Sequence, residues 1–148
     1  MRIAISADEV VGVAAELTDA VTARGHQVVA VHGAFNESER DDWAWCSEAA
    51  ARDVAEGRAD QAVVACWTGT GASIAANKVD GVRAALCGDA ETAEGARQWN
   101  DANVLALSLR LLDRDGLNSV LDAWFAASAS ADPDDVANIT HLGDIAST

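Results

Sequence analysis

With 148 residues, half of them apolar, and a formal net charge of −14, the chain can bury a core of its own but repels the phosphates of nucleic acid. No apolar run approaches the roughly 18–20 residues that cross a bilayer, and Met1 to Ser6 lacks the basic start and long apolar stretch of a secretion signal, so a cytoplasmic protein with no membrane partner is expected. Cys46, Cys66 and Cys87 are odd in number and form no CxxC pair, so neither a disulfide framework nor a metal site is expected, and buried free thiols are the plain reading.

Taken in chain order, Arg2 to Ser6 is a short apolar run ending in small residues and predicts a buried strand. Asp8 and Glu9 follow at once. An amphipathic stretch from Gly12 to Arg24 predicts a helix that Gly25 ends. Gln27 to Val31 is β-branched and apolar, a second strand; His32 to Arg40 is polar and reads as a loop. Asp41 to Glu56, Ala-rich with apolar spacing, predicts a helix closed by Gly57. Ala62 to Cys66 is a third strand, Trp67 to Gly71 a loop of glycine and threonine, and Ser73 to Lys78 a short helix. Val82 to Cys87 and Val104 to Ser108 predict the fourth and fifth strands, with a helix over Glu91 to Gln98 between them. A helix covers about Leu117 to Ala127. Asp132-Pro133-Asp134-Asp135 is a helix start, with an acidic N-cap, proline in the first turn and acids at the positive end of the dipole. The last helix is expected to run to about Leu142.

Strand and helix alternate about five times, and the strands are near-continuous apolar runs, as they must be when both sheet faces are covered. The pattern is that of an α/β three-layer sandwich, Rossmann-like, with a five-stranded parallel sheet and one domain spanning residues 1–148.

In open parallel sheets ligands bind beyond the carboxyl ends of the strands. That places Asp8 and Glu9 after the first strand, Cys66 to Gly71 after the third, and Arg110 after the fifth. Asn100, near the end of the helix before the fifth strand, joins the candidates. In Thr68-Gly69-Thr70-Gly71, glycines between a strand and a helix let backbone N–H groups converge on an anion. No Gly-Lys-Ser/Thr follows, so it is not a nucleotide phosphate loop; a plain tight turn is the alternative. Cys66 ends its strand just before this loop, where backbone dipoles favour a thiolate able to serve as nucleophile or base; a structural thiol is the alternative.

Cys66-Trp67-Thr68-Gly69-Thr70-Gly71-Ala72-Ser73-Ile74-Ala75-Ala76-Asn77-Lys78 resembles the signature of type B ribose-5-phosphate isomerases and the related galactose-6-phosphate isomerase subunits. The likeness continues through Gly81 to Cys87 and from Asn100-Asp101-Ala102-Asn103 to Arg110, and Ser38-Glu39-Arg40 with Asp42 fits the loop after the second strand. The resemblance implies an aldose–ketose isomerase working through a cis-enediolate with no cofactor and no metal. It implies Cys66 as the base that moves the proton between C1 and C2, and Thr68 with Gly69 and Gly71 as the oxyanion loop. Ser73 belongs to the same motif. Asp8 would bind sugar hydroxyls, Asn100 would contact substrate, and Arg110 would lie in the site. It implies a homodimer or homotetramer with sites at the subunit interface, the last helix (134–142) packing on the partner.

The departures from the family pattern share a direction. Glu9 stands where the family has histidine, and Trp99 replaces the histidine before the Asn-Asp pair. Trp43 replaces a tyrosine and Trp67 a glycine. The C-terminal segment, which often supplies cations for the phosphate, is Asp132-Pro133-Asp134-Asp135-Val136-Ala137-Asn138 and has no arginine. Trp43, Trp67 and Trp99 can stack on a sugar face or pack at an interface; Arg40, Arg110 and Arg114 can still meet a phosphate. Glu9 would take over the handling of hydroxyl protons. Three readings stay open: an isomerase of a sugar or sugar phosphate, one subunit of a hetero-oligomeric isomerase, and a non-catalytic sugar-binding or regulatory homologue. Of the histidines, His26 reads as an exposed loop residue, His32 as able to face the site, and His141 as able to enter a neighbour's.

Overall fold

The computed structural model describes residues 1–146. Five strands, β1 (Arg2–Ala7), β2 (Gln27–Gly33), β3 (Gln61–Cys66), β4 (Ala84–Leu86) and β5 (Val104–Ser108), form one parallel sheet in the order β2-β1-β3-β5-β4. The helices are α1 (Leu17–Thr22), α2 (Trp43–Ala55), α3 (Thr70–Ala76), α4 (Ala90–Asn100), α5 (Arg114–Ala126) and α6 (Pro133–Ala146). This is the α/β three-layer arrangement that the alternation of elements predicts.

Alternation along the strands sorts side chains by size. Ile3, Ile5, Val63, Leu105 and Leu107 face one side, where they pack with Leu17, Val21, Leu117, Val120, Leu121 and Trp124 of α1 and α5. Ala4, Ala62, Val64, Cys66, Val104 and Ala106 face the other, against Ala50, Ala51, Ala72 and Ala76 of α2 and α3. Successive residues of a strand point to opposite faces, so one face carries bulk and the other is thin. Small residues let α2 and α3 approach the sheet closely, and Cys66 lies on that thin face.

Several boundaries differ from expectation: α3 and α5 each begin three residues earlier, at Thr70 and Arg114, and four further elements differ as follows. The helix predicted over 12–24 divides into a 3-10 turn (Gly12–Glu16) and α1; the Ala14 N–H closes back on the Val11 carbonyl at 3.1 Å in a tighter turn than an α-helix makes. Strand β2 extends to Gly33, because His32 and Gly33 pair with Ser6 and Ala7 of β1. Strand β4 is shorter than predicted: the Val82 N–H turns back to Val79, and the Arg83 N–H is taken by the Asn103 side chain at 2.8 Å. Helix α6 starts where the Asp132-Pro133 signal puts it, with the Asp134 N–H on Asp132 Oδ1 at 2.9 Å, and runs on to Ala146.

A polar tie crosses the larger core cluster. Trp124 is fully buried and its indole N–H donates to Gln61 Oε1 at 2.8 Å. Trp124→Ala should cost about 3–5 kcal/mol, the usual range for a buried tryptophan. Urea unfolding should show a lower midpoint with an unchanged slope.

Candidate active site

Strand β3 ends at Cys66, which is 4% exposed. The chain then turns through Trp67, Thr68 and Gly69 into α3. The Gly69 N–H returns to the Cys66 carbonyl at 3.2 Å. Gly69 adopts φ +76°, and a Cβ there would stand 2.5 Å from Leu86 Cδ1 and 2.9 Å from the Leu107 carbonyl, so only glycine fits. The turn brings the Ala72 N–H to 3.4 Å from Cys66 Sγ. The thiol therefore receives a donor from the first turn of α3, where N–H groups have no partner within the helix. Thr68 and Thr70 are exposed and share a hydroxyl hydrogen bond of 2.7 Å. Ser73, half-buried, lies one turn on.

Sequence reasoning missed the residue that holds this loop from below. Ser108, buried at the end of β5 and paired with Cys66 in register, donates to the Trp67 carbonyl at 3.0 Å and accepts from the Leu111 N–H at 3.1 Å. The Arg110 N–H meets the same Trp67 carbonyl at 2.9 Å. A serine closing an otherwise apolar strand was the one available signal.

Asp8 follows Ala7, which pairs with Ala65, so it lies beside Cys66 at the strand ends. Its carboxyl is held above the usual carboxylate range, chiefly by burial, with the charges of Glu9 and Asp41 adding to the effect and backbone hydrogen bonds opposing it. Glu9 is exposed and has no side-chain hydrogen bond among the described residues.

The tryptophans separate. The Trp43 ring lies over Gly71: a Cβ on that glycine would meet the ring at 2.9 Å. Trp43 and Trp67 are each about half exposed at the same edge as Cys66. Trp99 folds back along its own helix against Gly95. Helix α4 leaves the carboxyl end of β4 and runs back, so Trp99 and Asn100 reach the amino edge of the sheet, away from Cys66 of the same chain. The corner there is pinned by Asp101, which pairs with Arg83 at 3.0 Å and Arg97 at 3.1 Å. Asn100 lines a groove of about 840 Å³ between the segment 77–85 and the end of α6. The direction of α4 sets Asn100 apart from the residues at the carboxyl ends of the strands.

The cations differ in freedom. Arg110 is exposed, and its guanidinium has no hydrogen bond or ion pair among the described residues. Arg40 is paired with Asp42 and stacked on Trp45, 3.6 Å from the ring centroid. Arg114 is held by both oxygens of Glu16, at 2.8 and 3.0 Å.

His26 is half-buried, its ring centroid 4.1 Å from that of Phe125. His32 is turned away from Cys66: Nε2 meets Asp53 at 2.7 Å and Nδ1 meets Glu39 at 2.9 Å. Burial, the largest influence on the ring, lowers its proton affinity, but the two carboxylates together outweigh it and hold it above the ordinary value of 6.5. A group whose folded value is raised contributes its full stability below the unfolded value and loses it as pH climbs through the folded one. The gap in thermal midpoint between wild type and His32→Gln should therefore be widest near pH 5 and narrow above neutrality.

The same assembly of loop and sheet is found in known proteins. A family model described as Ribose/Galactose Isomerase matches residues 3–141. Ribose-5-phosphate isomerase B of Escherichia coli is 41% identical over 90 residues, 61% of this chain and 60% of the relative. The match thus spans under two thirds of that protein's length. Galactose-6-phosphate isomerase subunit LacB of Clostridium acetobutylicum is 34% identical over 128 residues, 86% of this chain and 73% of the relative. Among solved structures, type B ribose 5-phosphate isomerase from Trypanosoma cruzi superposes with a TM-score of 0.89 at 29% identity, covering 99% of each chain. Ribose-5-phosphate isomerase B of Clostridium thermocellum gives 0.86 at 32% identity, covering 98% of this chain and 97% of the other. With the family model matched across nearly its whole length and the fold shared end to end, this chain belongs to the Ribose/Galactose Isomerase family.

Proposed function

We propose that the chain is an aldose–ketose isomerase of a sugar phosphate, working through a cis-enediolate with Cys66 as the base. The observation that carries this reading is the Cys66 thiol at the end of β3, facing the Ala72 N–H at 3.4 Å and the Gly69 turn. In the proposed step the Cys66 thiolate takes the proton from C2 of the open-chain aldose, and the electron pair moves into the C1–C2 bond and onto the carbonyl oxygen. The enediolate oxygens lie against the backbone of the 68–71 loop. The O2 proton passes to O1, carried by Glu9, and the thiol returns its own proton to C1, leaving the carbonyl at C2 of the ketose. Asp8 receives the sugar hydroxyls, Glu9 handles their protons, and Arg110 is the cation free to meet the phosphate. Trp43 and Trp67 flank the sugar. The relatives named as ribose-5-phosphate isomerase B and as subunit LacB support a sugar phosphate as substrate.

Trp99 and Asn100 can reach a Cys66 only across a contact between subunits, and we assign them to the neighbour's site. Helix α6 supplies a surface for that contact. Val136, Ile139, Leu142 and Ile145 recur every three residues, and Val136, Leu142 and Ile145 are 47%, 44% and 57% exposed. The likeness to LacB, itself named a subunit, together with Trp99 in place of histidine, favours one second reading: a partner chain of the same family completes the site.

The test is proton exchange. The protein is incubated in D2O with aldoses and ketoses, phosphorylated and free, beside a Cys66→Ala control, and followed by NMR. Deuterium entering C1 or C2 of one sugar and absent from the control supports the isomerase. Binding without exchange by the pure chain turns the assignment to a binding protein or to a subunit awaiting its partner. Mixing Cys66→Ala with Asn100→Ala chains tests sharing: in a homodimer the randomly paired mixture regains about a quarter of wild-type turnover. No recovery removes Asn100 from the shared site.

A further inference from the structure

Behind Asp8 the chain buries polar atoms that the proposed reaction does not use. Ser6 and Ser47 are fully buried. Their hydroxyl oxygens, together with Asp8 Oδ1, have no hydrogen-bond partner among the described residues. All three belong to one place. Ser6 and Asp8 are two residues apart where β1 ends, so they share a face, and α2, which carries Ser47, packs on β1. One side chain borders them all. The thiol of Cys46 lies among them: its electrostatic neighbours are Ser47, Asp8 and Ser6, and its own hydrogen bond goes to the Trp43 carbonyl at 3.7 Å. It also sits against Gly33 of β2, where a Cβ would collide with it. Buried polar atoms are satisfied by protein or by ordered water, and a cluster around a single thiol beside a substrate-facing carboxyl is a built feature.

We propose that Ser6, Cys46 and Ser47 form a hydrogen-bonding floor, closed by ordered water, that holds the inner oxygen of Asp8 and keeps that carboxyl charged and oriented toward the substrate hydroxyls. They are positioning residues, acting through Asp8. The floor is a property of the free protein; only its consequence for turnover rests on the isomerase reading.

The surroundings of Asp8 explain why a floor is needed. Glu9 and Asp41 face it from the flanking loops, Cys46 from α2 and Cys66 from the end of β3; His32 of β2 is turned to Asp53. Burial and two like charges favour the protonated acid. Donors to the carboxylate favour the charged form. Burial pushes the Cys46 thiol up to about 11, so it keeps its proton; that proton faces the Trp43 carbonyl at 3.7 Å and reaches the floor by rotation about the Cβ–Sγ bond.

The test follows the Asp8 carboxyl carbon by NMR in aspartate-labelled protein, assigned with Asp8→Asn and titrated without substrate. Ser6→Ala and Ser47→Ala should each raise the Asp8 midpoint by about 0.5–1 pH unit. Cys46→Ser, a stronger donor of the same shape, should lower it. Ser119→Ala, on the exposed side of α5, should leave it unchanged. In an active enzyme the acid limb of kcat/KM moves with the midpoint. A midpoint unmoved in all three variants, each with wild-type near-UV circular dichroism, overturns the floor. Where the alanine variants lose that signal, Cys46→Ser decides alone. A moved midpoint in a protein that exchanges no sugar proton leaves the floor standing and turns the functional assignment to a binding protein or to a subunit awaiting its partner.

Discussion

Cys66→Ala should reduce deuterium exchange into substrate by about 10²–10⁴-fold, the range that a positioned general base contributes. The fold should survive, because the side chain lies on the thin face of the sheet among Val64, Ala72 and Ala106, where alanine is the common neighbour. What is lost is the sulfur that receives the Ala72 N–H at 3.4 Å. Cys66→Ser separates chemistry from space: the hydroxyl occupies nearly the same volume but is a far weaker base at neutral pH, so exchange should stay close to the alanine level. Near-UV circular dichroism and urea unfolding check that both variants are folded. Full exchange by folded Cys66→Ala would remove Cys66 from the reaction and leave Asp8 or Glu9 to be tested as base.

Gly69→Ala should be the most destabilising single change in the loop. Two independent costs add. The backbone at φ +76° disfavours any L side chain by about 1–2 kcal/mol. The new methyl would stand 2.5 Å from Leu86 and 2.9 Å from the Leu107 backbone, and overpacking of this kind costs about 1–3 kcal/mol. A total of about 2–5 kcal/mol is a large share of the 5–15 kcal/mol that holds a typical domain together. Gly25→Ala is the matched comparison. Its φ is +78°, yet nothing stands within 4 Å of the new Cβ, so it should show the backbone cost alone. Urea midpoints of the two variants give the difference. Equal losses would mean that Leu86 and β5 yield freely, and that the fit of the loop against the sheet matters less than its backbone shape.

The order of strands and helices was legible because each is a local matter. Apolar runs such as Ala62 to Cys66 read as buried strands whichever neighbours they take, and Asp132-Pro133 announces α6 by its own chemistry. The motif from Cys66 to Lys78 was legible for the same reason: donor and acceptor, Ala72 and Cys66, are six residues apart. Placement was not legible where a residue's position depends on where a whole element goes. Asn100 lies near a helix end in the sequence, and only the path of α4 shows that it is carried back across the sheet. Histidine at position 32 looked free to face the site until α2 brought Asp53 within 2.7 Å of it.

By itself, then, the sequence determined the layered α/β class, the parallel sheet and the loop that holds Cys66, since these rest on periodicity and on glycines at a strand-to-helix turn. Only the tertiary structure decided which side chains surround that thiol. It laid Trp43 over Gly71, set Ser108 beneath Trp67, closed Gln61 onto Trp124, and gathered Ser6, Cys46 and Ser47 behind Asp8. Those contacts join residues from separate elements. Their energies depend on burial and on how closely small side chains let two layers approach, and no local pattern encodes either.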